Sequence, residues 1–80
     1  MSDKRKLRKA IAESEAKIEE LEQKRVRSQA SLFYAMINNL ELPEADKEIF
    51  NLNTELIELE RKQLASLNEE LEEYEDEDDE

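Results

Sequence analysis

Two long segments of the chain carry apolar residues at helical spacing, and the first of them contains no helix breaker. In residues 3–38 the apolar positions are Leu7, Ile11, Ile18, Leu21, Leu32 and Met36. In residues 43–74 they are Ile49, Leu52, Leu56, Leu59, Leu67 and Leu71. Residues three and four apart share one face of an α-helix, so the pattern predicts two amphipathic helices that bury these faces against each other.

The segment between the two predicted helices has the composition of a tight turn. Asn38 and Asn39 tolerate the left-handed conformation that ends a helix. Pro43 suits the first position of the next helix, and Glu44 is favourable beside the positive end of that helix dipole. We therefore expect a turn at residues 39–43, and so short a connection makes the two helices antiparallel.

The predicted fold is all-α: a two-helix antiparallel coiled-coil hairpin over residues 1–75. The apolar positions recur at intervals of eleven residues rather than in a strict seven-residue repeat, which predicts nearly straight helices. Residues 69–80 hold ten acidic residues with nothing apolar after Tyr74, so we expect residues 76–80 to form a disordered acidic tail. A hairpin this small and without cysteines needs further burial, and we expect it to dimerise into a four-helix bundle.

The residues beside the turn are apolar nearly all round the first helix. Between Ala30 and Ile37 only Ser31 interrupts the apolar run. A helix packed on one neighbour needs an apolar stripe of only about 100°, so a second protein chain is expected to cover the rest. The predicted dimer or partner interface consists of Leu32, Phe33, Tyr34, Met36, Ile37, Leu40, Ile49 and Phe50. The alternative is that these residues form the core of a monomeric hairpin.

Several polar residues fall at positions expected to face inward: Ser14, Arg25, Ser28, Gln63 and Ser66. We expect Arg25 to reach Glu55 or Glu58 of the second helix while its aliphatic stem packs against the helix surface. The alternative is that the inward polar residues fix the register and the oligomeric state and lower stability in doing so.

Charge is distributed unevenly along the chain. Residues 1–40 hold nine Lys or Arg against six Asp or Glu, a net charge of +3, whereas residues 41–80 hold three against seventeen, a net charge of -14. Antiparallel helices place these halves side by side, where they attract each other. The residues expected to pair are the basic Lys4, Arg5, Lys6, Arg8 and Lys9 and the acidic Glu72, Glu73 and Glu75.

The composition removes most catalytic chemistry. The chain has no cysteine, histidine or glycine, and therefore no thiol nucleophile, imidazole base, usual zinc ligand or glycine-rich phosphate loop. We expect no enzymatic activity, no metal site and no cofactor. No leader sequence is visible and no segment has the apolar length of a membrane span, so we expect a cytoplasmic protein that does not bind membranes.

Three functions agree with these features. The favoured one is a non-catalytic protein–protein interaction protein, an adaptor, assembly or chaperone-like factor of the size that phages and mobile elements encode. It would form a homodimer and bind a further protein through the apolar end near the turn. The second is an acidic inhibitor that imitates nucleic-acid phosphates and occupies a DNA- or RNA-binding protein. The third is a nucleic-acid binder led by the basic N-terminus, and its acidic neighbours make nucleic acid an unexpected partner.

Overall fold

The computed structural model describes the backbone of residues 3–77 and the side chains of residues 3–75. Two helices form it, α1 at Asp3–Ile37 and α2 at Glu44–Glu77. They pack against each other as a rod of 60 × 16 × 15 Å. The predicted all-helical hairpin is confirmed, and the described residues contain no β-strand. Of the predicted acidic tail, residues 76 and 77 are the last of α2, and residues 78–80 lie outside the described part of the chain.

Helix α1 ends in a Schellman motif. Asn39 has a φ of 55°, which is the left-handed conformation that asparagine tolerates better than most residues. The Leu40 amide donates to the Ala35 carbonyl at 2.8 Å, and the Asn39 amide donates to the Met36 carbonyl at 3.2 Å. These two bonds satisfy carbonyls that the end of a helix otherwise leaves open, so the chain turns within a few residues.

Helix α2 begins directly after Pro43. The Lys47 amide donates to the Pro43 carbonyl at 3.1 Å, which is the first hydrogen bond of the helix. Glu44 lies in the first turn and forms an ion pair with Lys47 at 3.2 Å. The connection between the helices therefore spans residues 38–43, slightly more than the turn expected from the sequence.

A continuous seam of buried and half-buried residues runs along both helices at alternating intervals of three and four. In α1 the seam consists of Lys4, Leu7, Ile11, Ser14, Ile18, Leu21, Arg25, Ser28, Leu32 and Ala35. In α2 it consists of Asp46, Phe50, Asn53, Ile57, Glu60, Leu64, Leu67, Leu71 and Tyr74. This is the seven-residue period of a coiled coil. The eleven-residue recurrence of apolar residues does not describe the packing, because polar residues occupy several seam positions.

Over residues 46–60, helix α2 turns a different face to α1 from the one that the sequence predicted, whereas Leu67 and Leu71 of the predicted row do lie in the seam. Ile57 is fully buried, whereas Leu52 and Leu59 are 55% and 63% exposed. The observed inner row lies one residue later along the chain than Ile49, Leu52, Leu56 and Leu59, which is a rotation of about 100° about the helix axis. The expected inward positions of Gln63 and Ser66 are wrong for the same reason, and both residues are exposed.

Polar side chains contribute to the seam together with apolar ones. Ser14 Oγ donates to Glu60 Oε2 at 2.8 Å, and Ser31 Oγ donates to Asp46 Oδ2 at 2.7 Å near the turn. Within the described side chains, no buried nitrogen or oxygen lacks a hydrogen-bond partner. A bonded polar group avoids most of the penalty of leaving water but stabilises less than a buried apolar group. The seam therefore stabilises the hairpin less than a fully apolar coiled coil would.

Arg25 crosses the seam in a different way from the one expected. Its Nη1 donates to Thr54 Oγ1 at 3.3 Å, and its guanidinium carbon lies 5.8 Å from the centre of the Phe50 ring. The prediction that it reaches Glu55 or Glu58 is wrong, because the rotation of α2 carries both carboxylates away from α1. Ring stacking and a hydroxyl acceptor take the place of an ion pair.

Candidate functional site

One flank of the seam is closed by charged side chains. Arg8 Nη2 lies 3.3 Å from Glu75 Oε2, and Arg61 Nη2 donates to Glu22 Oε2 at 2.6 Å. All four residues follow a seam residue by one position, so they project on the same side of the hairpin. Each side chain is roughly half exposed, and such pairs stabilise a fold only slightly. We call this side the ionic flank.

The opposite flank of the seam is apolar on α2. The residues one position before the seam form a row at intervals of four and three: Ala45, Ile49, Leu52, Leu56 and Leu59. We call this row the α2 stripe. Its large members are 38% to 63% exposed, so the described chain leaves it largely uncovered. The spacing is that of a second coiled-coil seam on the same helix.

The α2 stripe forms one wall of an open groove whose other wall is basic. Lys17, Leu21 and Lys24 of α1 line the groove, which has a volume of about 540 Å³. Arg27 lines a neighbouring recess toward the turn, beside Ile49. We call Lys17, Lys24 and Arg27 the basic wall. Lys24 also lies 3.8 Å from Glu20 of its own helix, and the acidic Glu60 and Asp46 of α2 line the same two recesses, so the basic residues face acidic ones within the hairpin.

The outer edge of the α2 stripe is acidic. Glu44, Glu48 and Glu55 lie on the side of the stripe that faces away from α1, and all three are exposed. Helical geometry places them there because Glu48 and Glu55 precede stripe residues by one position. Lys62 lies on the same edge beyond the last stripe residue. We call Glu44, Glu48 and Glu55 the acidic edge.

A second apolar surface lies on the side of α1 that faces away from α2. Its residues are Val26, Ala30, Phe33 and Ile37, at intervals of four, three and four. Val26, Phe33 and Ile37 are 59%, 60% and 64% exposed. Gln29 joins the first three in lining a shallow recess of about 310 Å³. We call this surface the α1 outer patch.

The structure divides the predicted interface among several places. Leu32 and Phe50 are half-buried in the seam, Ile49 belongs to the α2 stripe, and Phe33 and Ile37 belong to the α1 outer patch. The other members are exposed around the turn end of the hairpin: Tyr34, Met36 and Leu40. Residues that the sequence suggested as one surface therefore lie on two sides of the molecule and in its interior.

Sequence reasoning missed the members of both surfaces that lie farther from the turn. Leu52, Leu56 and Leu59 were expected inside the hairpin, and Val26 and Ala30 were not included in an interface. A signal for each was present, because both rows keep the three-and-four spacing of a packed helix face.

The oppositely charged ends of the two helices meet. Besides the Arg8–Glu75 pair, Tyr74 Oη donates to Asp3 Oδ2 at 3.2 Å. Lys4 occupies a seam position and is 7% exposed. The remaining residues of the predicted charge clusters are exposed: Arg5, Lys6, Lys9, Glu72 and Glu73.

Within the described residues, no group of three or more Asp, Glu, His or Cys side chains is arranged to hold a metal ion. Over the same part of the chain, neither helix has an apolar stretch long enough to cross a bilayer. No protein-family model, curated protein or solved structure matches the chain. Function is therefore inferred from the surfaces of the hairpin itself.

Proposed function

We propose that the protein is a non-catalytic protein–protein interaction protein, an adaptor, assembly or chaperone-like factor whose exposed apolar surfaces are bound by other protein chains. The distribution of apolar side chains supports this proposal. In the described part of the chain, eleven large hydrophobic side chains are exposed and five hydrophobic residues are buried. Monomeric proteins seldom leave contiguous apolar surfaces of this extent open to water.

The α1 outer patch is the surface that we assign to a different protein. Its four residues form a row on one convex helix, which suits an amphipathic helix laid along it. At its N-terminal end the patch adjoins Glu19 and Glu22, which line a recess with Val26. The complementary partner is a helix with an apolar row followed by basic residues.

Site-specific photo-crosslinking in the cells that make the protein tests this assignment. A benzophenone side chain at position 33 should yield a discrete adduct with a different protein. Ile37→Asp should abolish the adduct by placing a charge in an apolar contact. Ile37 is exposed near the end of α1, so circular dichroism should show an intact hairpin for this variant.

The matched control separates this function from that of an acidic inhibitor. Changing Glu69, Glu70, Glu72 and Glu73 to Gln should leave the adduct in place, and so should about 0.5 M salt, because apolar contacts lack the steep salt dependence of phosphate-like contacts. An adduct that persists with Ile37→Asp but is lost in salt or with the Gln variant would contradict the proposal and favour the acidic inhibitor.

A further inference from the structure

We infer that the α2 stripe is the contact between two copies of this chain, whose α2 helices pack in parallel about a twofold axis that runs along them. This inference rests on the proposed function and deepens it, because it names a second copy as the partner of one apolar surface. The α1 outer patch lies on another side of the hairpin, so it stays accessible to a different protein in such a dimer.

The spacing of the α2 stripe is that of a parallel two-stranded coiled coil. Its residues alternate between the two core positions of the seven-residue repeat, with Ile49 and Leu56 at position a. Ala45, Leu52 and Leu59 fall at position d. A β-branched residue at a with leucine at d favours two parallel helices. A twofold axis along the helices sets each residue level with its own copy, so the two rows overlap over their whole length.

Charge distinguishes this orientation from the antiparallel one. The acidic edge lies on one side of the stripe, and the basic wall of α1 lies on the other. A twofold rotation about an axis parallel to the helices exchanges the two sides, so the acidic edge of each copy meets the basic wall of the other. A rotation about a perpendicular axis makes the helices antiparallel and sets acidic edge against acidic edge. Like charges oppose a contact, so charge selects the parallel orientation.

The hydrogen bonds of the seam fix which charges lie level in the parallel dimer. Arg25 donates to Thr54 at 3.3 Å, so the neighbouring Lys24 lies near the level of residue 55. Equal residue numbers lie level in the two copies, and Glu55 of the second copy therefore faces Lys24. The Lys24 side chain is 52% exposed, which allows it to extend to this carboxylate as well as to Glu20.

Carboxylates within the hairpin do not cancel this complementarity. Asp46 and Glu60 line the recesses that the basic wall also lines. Both are half-buried and accept hydrogen bonds from serines of α1, at 2.7 and 2.8 Å respectively. Their carboxylates are therefore bonded across the seam, whereas the acidic edge of a second copy approaches the basic side chains from the solvent side.

One pair of like charges remains in the parallel dimer. Lys17 lies two turns before Lys24, near the level of residue 62, so Lys62 of the second copy comes close to it. Glu58 lies one turn from Lys62 on the same side of α2 and brings a carboxylate to the same region. The repulsion therefore acts at the end of the contact, beyond the last stripe residue, and its removal should tighten the dimer.

The contact has the size of a reversible dimer. The stripe spans residues 45–59, about 21 Å at 1.5 Å per residue, and two helices side by side are about 20 Å wide. Pairing therefore buries on the order of 800 Å² in total, which is below the roughly 1,200 to 2,000 Å² of stable complexes. We therefore expect a dimer that dissociates on dilution.

In sedimentation equilibrium over a range of concentrations, the full-length wild type should change from monomer to dimer. Leu52→Asp should raise the dissociation constant at least about 100-fold, because both copies bring the charge into the apolar row. Leu52 is 55% exposed in the hairpin, so circular dichroism should show an intact fold for this variant. Ile37→Asp is the matched control on the α1 outer patch and should leave the dissociation constant unchanged. A wild type that stays monomeric, or a Leu52→Asp variant that dimerises as the wild type does, overturns the inference.

Disulfide cross-linking tests the orientation, because the chain has no cysteine of its own. In the parallel dimer, Ala45→Cys and Leu59→Cys should each form a covalent homodimer on oxidation, because each residue lies level with its own copy. Ile37→Cys is the control for random collision and should stay monomeric. In an antiparallel dimer neither stripe variant would link to itself, and only a mixture of the two would cross-link. That result overturns the parallel arrangement.

Charge variants test the orientation by the sign of their effects. Glu55→Lys should weaken the dimer about three- to tenfold, because it sets a positive charge against Lys24 in both halves of the contact. Adding Lys24→Glu should return the dissociation constant to within about threefold of the wild type. Lys62→Glu should tighten the dimer about two- to fivefold, because it replaces repulsion of Lys17 by attraction. In an antiparallel dimer Glu55→Lys would instead tighten the contact, and that result overturns the inference.

Failure of the dimer and failure of the proposed function are distinguishable. A monomeric wild type that keeps its Ile37-dependent adduct overturns this inference alone. A dimer that depends on Leu52 but gives no adduct from position 33 overturns the proposed function alone.

Discussion

The two apolar faces of α2 differ in composition and in length, and the more apolar face is the exposed one. In the half of α2 nearest the turn, the seam includes the polar Asn53 and Glu60, while the α2 stripe beside it is apolar at every position. The seam, however, continues through Leu64 and Leu71 to Tyr74, whereas the stripe ends at residue 59. Since burial adds up along a helix, α1 packs on the longer face.

This difference shows that the residue count of a face decides packing more than its local apolarity. A neighbouring helix of 35 residues, as α1 is, gains most from a face that extends as far as it does. A short apolar face cannot compete for such a neighbour. The α2 stripe is such a short face, and its large side chains are exposed.

The largest difference in stability between the two faces is expected when Ile57 and Leu59 are each replaced by alanine. Ile57→Ala should lower the free energy of unfolding by about 2 to 5 kcal/mol, because it empties a fully buried position. Leu59→Ala should lower it by less than about 1 kcal/mol at concentrations where the chain is monomeric, since that side chain is mostly exposed. Urea unfolding followed by circular dichroism measures both, and equal losses would contradict the assignment of the inner face.

The sequence predicted the hairpin correctly, but it predicted the inner face of α2 correctly only at Leu67 and Leu71. The predicted row steps by three or four residues as far as Leu59 and then by eight to Leu67. A step of eight rotates the row by about 80°, so it passes from one face to the other. Leu64 continues the seam from Ile57. Including it in the predicted row would have distinguished the inner face from the α2 stripe.

Other seam positions could not be predicted from the local sequence pattern. Glu60 is half-buried because Ser14 donates to its carboxylate, and these two residues are 46 positions apart. An isolated row of residues does not show which polar side chain will find such a partner. For the candidate site, the exposed Phe33 and Ile37 were identified from the excess of apolar residues, but their separation from Ile49 required the fold.

Replacing a serine should affect stability less than replacing Ile57, and the effect should differ between the seam and the exposed face. Ser14→Ala should lower the free energy of unfolding by about 1 to 2 kcal/mol, because it leaves the half-buried Glu60 carboxylate without its donor. Ser66→Ala, on the exposed side that continues the α2 stripe, should change it by less than about 0.5 kcal/mol. Thermal unfolding of both variants at one concentration makes the comparison. An equally small change for both would mean that the seam hydrogen bond adds nothing.

The smallest effect is expected at the ionic flank, which lies on the opposite side of the seam from the α2 stripe. Arg61 and Glu22 are in contact at 2.6 Å, yet their side chains are 55% and 40% exposed. Water screens such a pair, so the coupling energy from Glu22→Gln, Arg61→Gln and the double variant should be about 0.5 kcal/mol or less. It should fall further in about 1 M salt, where charges are screened over a few ångströms. A coupling above about 1.5 kcal/mol that persists in salt would mean that charge pairing, rather than the buried seam, fixes how α2 lies against α1. In that case the exposure of the α2 stripe would follow from its distance from the ionic flank and not from its short length.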